Sequence, residues 1–277
     1  MKFSRSEFLK TGILGLGSAL VPASSLFSSE KSTPAETLNV GLASYTLRKF
    51  NLDETIAVSK RLGLQKIALK SMHMPINASA DELKSMAAKV SAAGLQLYGA
   101  GVIYMKTQDE VAQAFTYAKN AGIPTIIGVP NHDLLKFVEE QVKSSGIRLA
   151  IHNHGPGDDL YRSPDDVYSR VKDLDKRIGL CIDVGHVQRI GQNPAEKLEK
   201  YHSRLYDIHL KDVDKNNEQG KPIEIGRGVI DIPAIIKTLK KIGYKETIAI
   251  EYEKDEQDPV PGLAESTGYV RAVIKMS

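Results

Sequence analysis

Gly179-Leu180-Cys181-Ile182-Asp183-Val184-Gly185-His186 is the stretch on which the fold of this chain turns. A short apolar run closes on a carboxylate, and a glycine and a histidine follow at once. Such a run, bounded by such signals, reads as a buried strand. A buried strand that ends in ionisable groups delivers them to one rim of a sheet. Outward from it the pattern repeats: candidate strands cover 38–45, 66–70, 95–101, 125–129, 148–152, 179–183, 205–210 and 247–251, separated by segments of helical periodicity. Strands alternating with helices predict βαβ units and a parallel sheet.

The helices announce both ends. Asn51 before Glu54, Ser79 before Glu82, Thr107 before Glu110, Ser163 before Asp166 and Asn193 before Glu196 each place a capping side chain three residues ahead of a carboxylate. Pro164 and Pro194 occupy first helical positions. Gly63, Gly94, Gly122, Gly146 and Gly243 stand between a helix and the next strand, where a positive φ ends the helix. Eight units in this length predict an α/β fold, a single-domain closed (β/α)8 barrel over 38–277, in preference to an open doubly wound sheet.

Residues 1–23 read as a targeting segment. Lys2, Arg5 and Lys10 precede an apolar stretch over 13–21, and Val21-Pro22-Ala23 has the small-residue spacing of a cleavage site. Ser4-Arg5-Ser6-Glu7-Phe8-Leu9-Lys10 resembles a twin-arginine signal with Ser6 in place of the second arginine. The expectation is a periplasmic or otherwise exported protein, with residues 24–37 as linker; a frayed amphipathic helix on a cytoplasmic chain is the plainer alternative. The apolar stretch is about half the roughly 20 residues of a spanning helix, so no membrane insertion of the mature chain is expected. The formal charge of +3 falls by 2 when Lys2, Arg5, Lys10 and Glu7 are set aside, leaving no basic footprint for nucleic acid. A single cysteine, Cys181, excludes an intrachain disulfide and a multi-cysteine zinc site.

In a barrel of this kind the carboxyl ends of the strands carry the chemistry. His73, His132, His152, His154, His186 and His209 all fall at or just beyond a predicted strand end. Period-two alternation puts His152 with His154, His209 with Lys211, and Glu251 with Glu253 on one face. Four consecutive strands thus each offer a metal-competent group: His152, Asp183, His209 and Glu251. Two imidazoles and two carboxylates suit Mn2+, Zn2+, Co2+ or Fe2+ and are too nitrogen-rich for Ca2+.

Asp183-Val184-Gly185-His186, His209-Leu210-Lys211-Asp212 and Ile250-Glu251 resemble motifs of the xylose isomerase-like TIM barrel family, the sugar phosphate isomerases and epimerases related to endonuclease IV and the inosose dehydratases. The resemblance runs from about residue 38 to the C-terminus. It implies a metal-dependent isomerase or epimerase that removes a proton beside a carbonyl of a carbohydrate or polyol, often as a homodimer. By the same resemblance Asp183, His209 and Glu251 bind the cation, and His186 contacts substrate or metal. The family usually reads Glu-Asn-His on strand five, where this chain has His152-Asn153-His154. That departure removes a symmetric pair of carboxylate bases and raises a lyase or dehydratase acting on a keto-sugar or keto-glycoside.

Glu251, His152, His186 and Lys211 are therefore the candidate catalytic groups. Lys70, His154, Arg227, Glu253, Tyr45 and His73 are the candidates for lining the substrate pocket, Arg227 because Gly226-Arg227-Gly228 lies where barrels often hold phosphate. A Schiff-base aldolase using Lys70 or Lys211, and a sugar-binding barrel without catalysis, are the rival readings.

Overall fold

The computed structural model describes residues 38–277; the expected leader, 1–23, and linker, 24–37, lie outside the described residues. Strands β1 (Asn39–Ala43), β2 (Lys66–Leu69), β3 (Gln96–Met105), β4 (Thr125–Pro130), β5 (Arg148–His152), β6 (Ile178–Asp183), β7 (Leu205–Leu210) and β8 (Thr247–Ile250) pair in parallel, in sequence order, and β8 returns to β1 to close the barrel. Around it run α1 (Leu52–Arg61), α2 (Ala80–Ala92), α3 (Gln108–Ala121), α4 (Leu135–Ser145), α5 (Pro164–Val171), α6 (Val184–Arg189), α7 (Pro194–Tyr201), α8 (Ile232–Lys241) and α9 (Val260–Met276). No helix among the described residues is long and apolar enough to cross a membrane.

The caps behave as their chemistry dictates. Asn51 with Glu54, Ser79 with Glu82 and Ser163 with Asp166 form reciprocal capping boxes, while Thr107 and Asn193 cap α3 and α7 from one side only. Each such cap contributes about 1 kcal/mol to the helix it starts. The five glycines expected at helix ends all take positive φ.

Apolar residues segregate into two cores. The larger fills the layer between strands and helices, and the smaller, Ala43, Ala68, Tyr98, Ile127, Ala150, Cys181 and Ala249, fills the barrel interior. Seven strands each contribute one buried apolar side chain to that inner ring, whereas β7 adds only the partly buried Tyr206 packed against it. Asp207 of β7 pairs in register with Cys181 and is fully buried. The lumen beneath the rim is thus packed mostly with small side chains around one carboxylate.

Strand β3 departs from expectation by running to Met105 instead of stopping at 101. Its register shifts after Ala100, then resumes with Ile103 opposite Gly128 and Tyr104 opposite Val129. Gly101, at φ 146, sits so close to the carbonyl of Ile127 that a Cβ there would collide with it. The glycine that reads as a strand terminator is the residue that lets the strand bend and continue.

Candidate metal centre and active site

Period-two alternation along β5 to β8 brings His152, Asp183, His209 and Glu251 to the inner rim, where one ligand atom from each lies within 4.8 Å of all the others. Asp183 and His209 are register partners, and Glu251 follows β8 with its N–H bonded to the Leu210 carbonyl. His152 Nε2 lies 3.1 Å from His209 Nδ1 and 3.4 Å from Asp183 Oδ2, and His209 Nδ1 lies 2.9 Å from Glu251 Oε2. Bonds of about 2.0–2.2 Å to a first-row cation would hold such atoms roughly 3–4.4 Å apart. All four side chains are buried, and His152 Nδ1 and His209 Nε2 have no hydrogen-bond partner among the described residues. Two ring nitrogens and two carboxylate oxygens facing one small volume fit a divalent cation of the nitrogen-tolerant kind. Cys181, also within reach of His152 and His209, is pushed well above the usual thiol range by burial and then by Asp207, and so stays protonated.

Lys211 completes the cluster. Its Nζ is 2.8 Å from both Asp183 Oδ2 and Glu251 Oε2 and pairs closely with Glu253. Burial works against the ammonium, but the three carboxylates outweigh it and hold its pKa well above the ordinary lysine value. An amine so held is a proton-bearing cation, not the free nucleophile that imine formation needs. Its stem runs across Gly185, where a Cβ would meet Lys211 Cγ at 2.5 Å. The glycine of the Asp-Val-Gly-His motif is the space the lysine uses.

The same charges order the remaining titrations. Burial acts to raise Asp183 and Glu251, yet their imidazole and ammonium neighbours leave both well below the carboxylate range: His186 and Lys211 for the first, His209 and Lys211 for the second, with Lys211 the one cation common to both at neutral pH. Burial lowers His152 far below the imidazole range, and lowers His186 to about 4. His209 moves the other way, because Glu251 outweighs its burial. At neutral pH the pocket therefore holds two neutral imidazoles beside carboxylates and an ammonium.

The other expected residues divide. Asn153 clamps strand β6 by exchanging hydrogen bonds with the Asp183 backbone, and His154 projects outward to accept or donate a 2.9 Å bond with the Tyr104 hydroxyl. Lys70 reaches the Val102 carbonyl at 3.3 Å and lies 5.2 Å from the Tyr45 ring centre; burial lowers its pKa against the pull of Glu251 and Glu253. Tyr45 also carries the Arg48 guanidinium 4.9 Å from its ring centre. His73 is buried with both nitrogens engaged, one by Ser44 Oγ and one by the Leu47 carbonyl, so it braces the turn after β1 and has no free atom for substrate.

Arg227 is exposed and forked onto Glu265. The backbone N–H groups of Gly226, Gly228, Ile230 and Val213 all point at the Asp212 carboxylate. The anion expected at Gly226-Arg227-Gly228 is thus supplied by the chain itself, which corrects the phosphate reading of that segment.

Two residues escaped the sequence reading. Tyr104 lay beyond the point where strand three was expected to stop; the β-prone run Val102-Ile103-Tyr104-Met105 was the available signal. Asp207 is two residues before His209 on the same face, and the alternation that found His209 also points to it.

A closed parallel barrel with its ionisable side chains gathered at the carboxyl ends of successive strands defines a rim-site barrel protein. The chain belongs to the xylose isomerase-like TIM barrel family, whose model matches residues 56–273. An inosose dehydratase of Clostridium botulinum is 31% identical over 126 residues, which is 40% of this chain and 42% of that enzyme. The chain spans about half the length, or less, of the curated relatives it matches first. Among solved structures, an uncharacterised protein from Parabacteroides distasonis superposes with a TM-score of 0.67 at 25% identity, covering 87% of this chain and 99% of that one. The IolI protein with a bound zinc atom superposes at 0.72 with 16% identity, covering 86% and 99%, a likeness of fold.

Proposed function

We propose that this chain is a divalent-metal-dependent isomerase or epimerase that removes a proton beside a carbonyl of a carbohydrate or polyol. The observation that carries the reading is the buried four-donor cluster of His152, Asp183, His209 and Glu251, bridged by Lys211. A bound Mn2+, Zn2+, Co2+ or Fe2+ would polarise the carbonyl and ease removal of the adjacent C–H proton. Glu251, kept ionised by His209 and Lys211, takes that proton at a carboxylate oxygen. Lys211, kept protonated, donates from Nζ to the oxygen that gains charge. His186, neutral at pH 7, supplies a ring nitrogen that hydrogen-bonds a substrate hydroxyl. Burial of the cluster excludes water and strengthens each of these interactions.

A second reading is elimination by the same first step, giving a lyase or dehydratase on a keto-sugar or keto-glycoside. It is favoured by His152, because a neutral imidazole stands where a second carboxylate base would return the proton from the opposite face, and by the kinship with an inosose dehydratase. In that case Lys211 or His186 assists the departing oxygen. Export belongs to the reading as well, supported by the basic and apolar pattern of residues 1–23.

Elemental analysis of the purified chain beside His152→Ala and Glu251→Ala, followed by solvent deuterium incorporation into a panel of keto-sugars, tests this. The expected result is near-stoichiometric transition metal lost in both variants, and exchange at the carbon next to the carbonyl. Absence of metal after reconstitution with each ion would sink it.

A further inference from the structure

The geometry points to a second, outer subsite at the mouth of the barrel, in which Tyr104 on His154 receives the face of a second ring, so that the ligand is a glycoside rather than a free monosaccharide. The inference rests on the sugar reading above and, of the free sugars and glycosides that reading admits, selects the glycoside and names the residue that receives its second ring.

Three observations carry it. First, β3 runs from Gln96 to Met105 and so carries Tyr104 four residues past the point at which β2 ends against it, with only β4 still alongside, Tyr104 opposite Val129. Second, an unbroken file of aromatic rings leads from the metal donors to solvent: His209 to His152 at 4.7 Å between centres, His152 to His154 at 4.5 Å, and His154 to Tyr104 at 5.5 Å, the last pair stacked with an interplanar angle of 23°. Third, exposure climbs along that file, from 2% at His152 to 49% at Tyr104, one of few large hydrophobic side chains left open among the described residues.

An exposed aromatic ring pinned in place has a use for its free face. Tyr104 is not a loosely placed surface residue, since its hydroxyl is bonded to His154 Nε2 at 2.9 Å and its ring lies against that imidazole. Ordering a side chain in this way costs conformational entropy before any ligand arrives, and a rigid aromatic plane repays it by covering an apolar surface. A sugar ring offers such a surface in the C–H groups of one face. A monosaccharide with its carbonyl at the four-donor cluster reaches only as far as His154, because one ring step separates His152 from His154. A second ring, sugar or aryl, is what reaches the next step and lies on Tyr104. On the β1 and β2 side the Tyr45 ring carries Arg48 and Lys70 over it, and Lys70 also holds the Val102 carbonyl two residues before Tyr104.

The test uses unreactive probes, so it does not depend on turnover. Binding of glucose, phenyl β-glucoside and cellobiose to the full chain in Mn2+ is measured by saturation-transfer NMR titration, for the native protein, Tyr104→Ala and Tyr104→Phe. We expect either two-ring probe to bind about tenfold tighter than glucose, the advantage to vanish in Tyr104→Ala, and Tyr104→Phe to retain it, since the ring rather than the hydroxyl does the contacting. Equal binding of one-ring and two-ring probes by the native chain overturns the subsite, and so does an advantage that survives in Tyr104→Ala. Failure of deuterium exchange in keto-sugars would instead overturn the catalytic reading and leave these binding outcomes to judge the subsite alone.

Discussion

The two halves of the barrel rim are built on different principles. Strands β5 to β8 end in side chains that need one another: His152, Asp183, His209, Glu251 and Lys211 are all buried, and each is within 3.5 Å of another member. Strands β1 to β4 end in side chains whose demands are met locally. His73 is spent on Ser44 and Leu47, Tyr45 lies under Arg48 and Lys70, and Lys70 holds a backbone carbonyl. The contrast teaches that burial with unmet polar demand marks the reactive side, whereas burial with every polar atom satisfied marks scaffold. The first half concentrates charge where a reaction needs it, and the second shapes the space in front of it.

The largest effect expected from breaking the charged half is on rate. Glu251→Gln keeps the shape of the side chain but removes both the anionic donor and the base, and should slow C–H exchange by about 10²–10⁴-fold, read by deuterium incorporation; a change below tenfold would remove Glu251 from the mechanism. Next comes Lys211→Met. With the ammonium gone, Asp183, Glu251 and Glu253 repel one another without compensation, and breaking a buried charge set of this kind costs about 3–5 kcal/mol. Melting should therefore drop sharply in the metal-free variant, and added Mn2+ should recover most of the loss, because a dication restores the missing charge. A variant equally unstable with and without metal would mean that Lys211 serves packing and not the charge balance of the site.

That division explains what could be read in the sequence. Strand positions, helix caps and the four donors are all set by local alternation and by short-range hydrogen bonds, which leave direct traces in residue order. Lys211 bridging two strands, and Asp212 occupying the loop amides that seemed ready for phosphate, depend on where separate segments meet in space. Gly226-Arg227-Gly228 looks alike whether its amides hold a ligand or a carboxylate from fourteen residues earlier at Asp212. Tyr104 lies past residue 101, where strand three was expected to stop, and only the approach of Gly101 to Ile127 shows how the strand continues.

The comparison sharpens one layer down. Asp207 lies beneath the donors with its Oδ2 3.6 Å from His209 Nε2, the nitrogen that would face away from a cation held at Nδ1. Tyr98 hydrogen-bonds its other oxygen at 3.2 Å. At that distance Asp207 acts on the imidazole through charge rather than a hydrogen bond, and losing it should weaken metal affinity by up to about tenfold. Asp207→Leu should therefore bind Mn2+ more weakly in competition titrations while the metal-free protein melts close to the native one, since relief of a buried acid offsets the hydrogen bond that Tyr98 loses. Affinity and stability falling together would make Asp207 part of the scaffold and blur the line between the two layers.

The smallest effect should come from the satisfied half. His73→Leu leaves Ser44 Oγ and the Leu47 carbonyl without their partner, at a cost of about 1–3 kcal/mol, and should leave metal content unchanged. Burial lowers the His73 pKa below the free imidazole value, against hydrogen bonds to the backbone, so the native state prefers the neutral ring. The unfolded chain takes up a proton first as pH falls, and the sign follows: the stabilisation is fully present above about pH 6.5 and drains away as pH drops toward the lowered native value. The stability gap between native protein and variant should accordingly be wide at pH 8 and narrow at pH 5, measured by thermal melts of the metal-free forms. A gap that widens on acidification would show that His73 is charged in the folded protein. The β1 to β4 half would then carry unmet charge of its own, and the distinction between a reactive side and a satisfied one would fail.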